Sequence, residues 1–221
     1  MKRFKIIGLC LVAAFAFSAV VASASVAALP EWHGPFPKPF TSLSGPGTLE
    51  TAGAMKNKIK CASDGNVGEI TAAKAGLVLV TFLGCKQGIN PCRNEGTENI
   101  MTEKLKMTLG YINETTKLVG VALEPEAGKK EPLAKFHCDI DGVEAIVEVK
   151  GSVIGDITPV NTLTDLYTLS FVQSKGVQAV QNLVGGKKDT LEASLFEGPF
   201  EEAGEETEDM ILTEGATEIL A

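Results

Sequence analysis

The chain has 221 residues, 28 of them acidic and 20 basic, for a net charge of −8. That balance argues against a nucleic-acid partner, because neutralising phosphates needs a basic surface. It also argues against charge-driven adhesion to anionic lipid, and the length suits a single domain with a real core.

The N-terminus predicts export. Met1-Lys2-Arg3-Phe4-Lys5 is a basic segment, Ile6 to Val21 is apolar, and Ala22-Ser23-Ala24 and Ser25-Val26-Ala27 are small-residue cleavage sites. This is the pattern of a secretory signal peptide over residues 1–27. The apolar run is short for a membrane span, and no stable span is expected after cleavage. Leu9 before Cys10 and the short upstream apolar stretch argue against a lipidated cysteine. Losing Lys2, Arg3 and Lys5 shifts the net charge from −8 to −11.

Cys61, Cys85, Cys92 and Cys138 remain, and four cysteines in an exported chain imply two disulfides. The sequence favours a small Cys85–Cys92 ring and a long Cys61–Cys138 closure. Zinc is disfavoured, since Cys85 and Cys92 stand further apart than a C-x2-4-C pair and there is no second close pair.

Residues 28–50 form a Pro- and aromatic-rich extended arm. Its prolines cannot continue a helix or sit in a central strand. Pro35, Pro37 and Pro39 are spaced by two, unlike a PxxP ligand. Trp32, Phe36 and Phe40 either pack on the domain or form a surface contact for a cell-wall polymer or envelope protein.

Residues 51–221 read as a single β-rich domain with an acidic C-terminal region. Residues 55–62 and 67–72 are expected strands, with a turn at Asp64-Gly65-Asn66. Leu77-Val78-Leu79-Val80-Thr81-Phe82-Leu83 reads as a strand buried on both faces. Residues 104–112 alternate as a half-buried strand, and 118–123 follow after a turn at Asn113-Glu114-Thr115. Lys135–Ile140 and Val143–Glu148 flank Asp141-Gly142, a strong hairpin signal. A two-residue turn pairs Ile140 with Val143, Cys138 with Ala145 and Phe136 with Val147, all six facing one way, and leaves Lys135 opposite Glu148. Residues 153–154 continue the strand, and 166–173 and 190–196 are two more. Residues 210–212 and 217–220 suggest a last hairpin around Glu214-Gly215. No long helix is demanded. The expectation is an all-β, disulfide-stapled antiparallel sandwich or irregular barrel of about ten short strands.

Catalytic signals are sparse. His33 and His137 are the only histidines, and no G-x-S-x-G, HExxH, P-loop or dinucleotide fingerprint is present. No catalytic residue, cofactor or metal ligand is assigned. The acidic run from Glu197 onward reads as a solvated face. Asp139-Ile140-Asp141-Gly142 is half of a calcium loop, better explained as a hairpin turn.

The order Cys61, Gly68-Glu69-Ile70-Thr71, Val80-Thr81-Phe82-Leu83-Gly84-Cys85, Cys92, Leu109-Gly110-Tyr111-Ile112, Val119-Gly120, Cys138 and Gly151-Ser152-Val153-Ile154-Gly155 resembles a group of uncharacterised secreted proteins of soil actinobacteria. The resemblance implies export and a β-rich domain, with no assigned activity. The expected function is that of an exported, non-enzymatic β-domain, secreted or held in the cell envelope, that binds a wall component or envelope partner. The alternatives are a hydrolase using a carboxylate pair and a calcium-stabilised module.

Overall fold

The computed structural model describes residues 30–53 and 57–221. The expected signal segment and Met55 lie outside the described residues. A short strand, β1 (Glu31–His33), precedes eight long staves that run up and down in turn. The first stave is β2 (Lys38–Ser44) and β3 (Gly47–Thr51). The second is β4 (Lys58–Cys61) and β5 (Ser63–Ala72), and the third is β6 (Ala75–Leu83) and β7 (Lys86–Gln87). The fourth comprises β8 (Asn90–Arg93), β9 (Ile100–Met101) and β10 (Leu105–Asn113). The fifth is β11 (Leu118–Pro125) and β12 (Ala134–Ile140), and the sixth is β13 (Val143–Gly151) and β14 (Val153–Thr158). The seventh starts as β15 (Thr164–Phe171). It detours through a small ribbon of β16 (Gln173–Ser174) and β17 (Val177–Gln178), then resumes as β18 (Leu191–Leu195). The eighth is the unbroken β19 (Glu201–Leu220).

The hydrogen-bonded ladders close twice. One ring runs β2-β5-β6-β10-β11-β14-β15-β19 and back to β2, antiparallel throughout. A second ring runs β3-β4-β7-β8-β12-β13-β18-β19 and back to β3. Both rings take the staves in the same order, so the protein is an eight-stave meander barrel with two stacked levels. β19 is the one stave that passes through both without a break. Closure removes the unpaired sheet edges that would otherwise invite aggregation.

The staves break where the levels meet. Gly45-Pro46 separates β2 from β3, and Ser152 separates β13 from β14. At that second break Gly151 has φ of +92°, and a Cβ there would run into the Thr190 carbonyl. Only glycine permits this bend and this close approach.

Strand alternation sends one face of each stave inward. Val78, Val80, Leu105, Met107, Leu109, Val119, Val121, Leu169 and Ile211 fill the upper level. Phe136, Cys138, Ala145, Val147, Val149 and Leu191 fill the lower one. Trp32 and Tyr167 meet edge-on at 5.1 Å near the β1 end, and the Tyr167 hydroxyl donates to the Thr217 carbonyl at 2.7 Å.

The fold is all-β and disulfide-bonded, as the sequence predicts, and it is a barrel rather than a sandwich. The 135–148 hairpin has the expected register, from Lys135 opposite Glu148 to Ile140 opposite Val143. Val143 is exposed rather than inward, because the hairpin tip projects past the barrel rim. Asp141 and Gly142 both have positive φ, as a tight hairpin turn requires.

Five expectations are corrected. Residues 77–83 are not buried on both faces: Val78 and Val80 point in, while Leu77 and Leu79 remain half-buried on the outer wall. Asp64-Gly65-Asn66 is no turn but lies within β5. The last hairpin does not form, because β19 continues in one direction through Glu214-Gly215, where it bulges: Leu212 lies opposite Leu166 and Thr217 opposite Thr164, and Gly215 has φ of +80°. The proline-rich arm is part of the wall: β2 pairs with both β5 and β19. Pro39 is tolerated because it lies one residue before the β19 ladder begins at Phe40.

The fifth correction is the disulfide pairing, which is Cys61–Cys85 and Cys92–Cys138. Each bond joins neighbouring staves. Lys60 pairs with Lys86, which sets Cys61 beside Cys85, and Cys92 lies directly opposite Cys138. The Cα separations are 3.9 and 4.0 Å. Cys85 and Cys92 do face each other across the β7–β8 turn, where the Cys92 N–H donates to the Cys85 carbonyl at 2.9 Å, but each is bonded to the cysteine on its other neighbouring stave. The expected Cys61–Cys138 closure would join the second stave to the fifth, which are not neighbours.

Candidate functional site

The residues singled out by sequence do not gather. Trp32 and Phe40 are buried in the barrel, and only Phe36 is exposed. The three therefore form no common contact surface, because alternation along β1 and β2 turns Trp32 and Phe40 inward. His33 is exposed, and its carbonyl accepts from the Thr217 hydroxyl at 2.7 Å. His137 sits opposite Ile146 on the outer wall, with its Nε2 3.8 Å from Glu144.

Where sequence suggested a turn and a solvated acidic face, the structure places a buried polar cluster inside the barrel. Asp64 and Asn66 from β5, Ser42 from β2, and Thr207 and Asp209 from β19 are all buried. The Asn66 amide donates to Ser42 Oγ at 2.7 Å and to Asp64 Oδ1 at 2.8 Å. The Asp64 backbone N–H donates to Ser44 Oγ at 2.8 Å. Asn66 Oδ1, Thr207 Oγ1 and Asp209 Oδ1 are buried without a partner. Burial raises the Asp209 carboxyl to about 9, helped by the Asp64 carboxylate, to which it hydrogen-bonds, and by Glu205. Burial also raises Glu205 to about 8, with Asp64 contributing. Asp209 therefore holds its proton at neutral pH, with Asp64 beside it to accept the hydrogen bond.

Glu205 is the one carboxyl among the described residues that line a small cavity in the lower level, with Leu49, Ile59, Phe82, Phe136 and Leu191. The cavity measures about 50 Å³. Pockets that take small molecules run to about 300–1,000 Å³. The space suits a few water molecules beside a polar group, not a substrate.

The outer wall carries a different feature. β-Sheet register aligns Leu79, Val67, Thr41, Leu212 and Leu166 in one row across β6, β5, β2, β19 and β15. The next row includes Leu43 opposite Met210. Leu43 is 65% exposed, Val67 59%, Met210 57%, Leu212 51% and Leu166 49%. Single exposed apolar side chains are ordinary, but a contiguous set marks a contact surface. Acidic residues bound it: Glu206 and Glu208 lie before Met210 on β19, Glu214 lies after Leu212, and Asp165 adjoins Leu166. Among the described residues none of these four carboxylates forms an ion pair. Sequence reasoning missed this face because the residues come from five separate strands. The exposed Met210 and Leu212 beside inward Ile211 were the only local signal.

Comparisons with protein-family models, curated proteins and solved structures find no match.

Proposed function

We propose that the protein is an exported, non-enzymatic β-barrel that binds a partner protein of the cell envelope through the apolar wall around Leu43, Val67, Met210 and Leu212. The observation that carries this reading is the in-register row of half-exposed apolar side chains, with carboxylates at its rim that form no ion pair among the described residues. Such a face fits a partner with an apolar centre and a lysine- or arginine-rich margin. The two disulfides are consistent with an extracytoplasmic location. The location of the carboxylates also supports a non-enzymatic role. Asp64 is 2% exposed and Asp209 5% exposed, inside a packed barrel, where no glycan or ester chain reaches them. A hydrolase needs its acid pair at a cleft.

The test is co-sedimentation of the mature, oxidised protein with host envelope, before and after protease treatment of that envelope. Saturable binding that protease abolishes, and that Leu43→Lys with Met210→Lys weakens at least tenfold, is expected. Equal binding by the variant, or no saturable binding to untreated envelope, contradicts the proposal.

A further inference from the structure

A second surface, away from the apolar wall, gathers lysines from loops at the junction of the two levels. Its sequence signature is a repeated tetrapeptide. Gly128-Lys129-Lys130-Glu131 lies between β11 and β12, and Gly186-Lys187-Lys188-Asp189 lies between β17 and β18. Both follow the same backbone device. The Gly128 N–H closes a turn on the Pro125 carbonyl, and the Gly186 N–H closes one on the Leu183 carbonyl, each at 2.9 Å. Both loops are insertions at the break between barrel levels, on the fifth and seventh staves. The sixth stave runs between them and adds Lys150.

The result is an open groove of about 610 Å³ lined by Lys129, Lys130, Lys150 and Lys188, with Asp189 and Phe200 among its other walls. Its lining has four lysines against the two acids Asp189 and Glu192, in a chain with 20 basic and 28 acidic residues. The lysines are held in place from beneath. Lys129 bridges Asp189 and Glu124, and Ser152 Oγ donates to Asp189 at 2.6 Å. Lys150 Nζ is 2.6 Å from Glu148 and 4.3 Å from the centre of the Phe200 ring, and Lys188 Nζ is 3.9 Å from Glu202. Burial pulls the Lys129 pKa down, but Asp189 and Glu124 outweigh it and keep the ammonium charged. Lys130 has no ion pair among the described residues, so its charge is open to a ligand.

We propose that this groove binds a phosphate-bearing anionic polymer, the two Gly-Lys-Lys turns gripping successive phosphates from opposite sides. Lysine ammoniums suit this task as rotatable point charges that follow a flexible phosphate chain without demanding one planar geometry. The acidic remainder of the surface repels polyanions and confines binding to the groove. The inference goes beyond the protein-partner reading and uses other residues.

Calorimetric titration of the oxidised protein with inorganic polyphosphate and, separately, with poly(glycerol phosphate) tests it. Saturable binding to at least one polymer is expected. It should fall at least tenfold between about 50 and 200 mM salt, as several-contact phosphate binding does. Lys130→Glu with Lys188→Glu, both exposed, should lose at least tenfold in affinity while keeping the wild-type melting temperature and protease-sensitive envelope binding. Preference for poly(glycerol phosphate) identifies a wall-type source, and preference for polyphosphate a free inorganic one. No saturable binding to either polymer, or equal binding by the variant, overturns the proposal and leaves the partner-protein reading standing.

Discussion

Replacing Asp209 by asparagine should stabilise the protein at neutral pH, although Asp209 lies deep in the barrel. In the folded state its carboxyl titrates at about 9, against 3.8 when unperturbed. Between these values the folded chain holds a proton that the unfolded chain has released. Stability therefore falls as pH rises from about 4 towards 9, because the unfolded state binds fewer protons. At pH 7 the protonation cost is about 4 kcal/mol at 1.36 kcal/mol per unit, an upper figure because neighbouring carboxyls contribute to the shift. The amide that replaces the carboxyl has the same shape, keeps a donor facing Asp64 and has nothing to protonate. Urea unfolding should show Asp209→Asn more stable by about 2–4 kcal/mol at pH 7.5 and nearly equal to wild type at pH 4. Destabilisation by the same amount at both pH values would refute the reasoning. It would mean that Asp209 is ionised in the fold and anchored by contacts that the amide cannot replace.

Two further predictions concern the frame. Proteolytic mapping without reduction should recover Cys61 linked to Cys85 and Cys92 linked to Cys138. Converting Cys92 and Cys138 to Ala should lower stability by about 4 kcal/mol and converting Cys61 and Cys85 by about 3.5, in the chain-entropy model; peptides joining Cys85 to Cys92 would refute the pairing, and peptides joining Cys61 to Cys138 would refute the barrel register. Tyr167→Phe removes the donor to the buried Thr217 carbonyl and should cost about 1–3 kcal/mol in urea unfolding, while an unchanged midpoint would show that carbonyl satisfied by another group.

The parts of this fold that were legible in the sequence are those where local pattern and tertiary role agree. The 135–148 hairpin is one, because Asp141-Gly142 sets the turn and the alternation of Phe136, Cys138, Ala145 and Val147 sets the face. Residues 105–112 are another, with Leu105, Met107 and Leu109 buried in strict alternation. Legibility ended where the barrel interior is polar. Asp64 and Asn66 have turn-forming chemistry, and Glu205 and Asp209 sit in an acidic run, so both segments suggest solvent. Yet Ala203, Ile211 and Ile219 share their odd-numbered positions, and that spacing holds the clue to an inward face. The disulfide pairing was unreadable because it depends on β7 and β8, strands of two and four residues with almost no pattern of their own. The candidate surfaces were hidden for a related reason. Leu43, Val67 and Met210 are far apart in the chain and become neighbours only through ladder register, and the two Gly-Lys-Lys turns meet only because their staves flank the same third stave.

The most direct test of the functional account is binding of the oxidised protein to host envelope, compared with its Leu43→Lys, Met210→Lys variant. Both substitutions are on the outer wall and should change stability by no more than about 0.5 kcal/mol each. The account predicts saturable, protease-sensitive binding by the wild type and at least tenfold weaker binding by a variant with the same melting temperature. Equal binding by the two proteins would contradict it and remove the apolar wall as the contact surface.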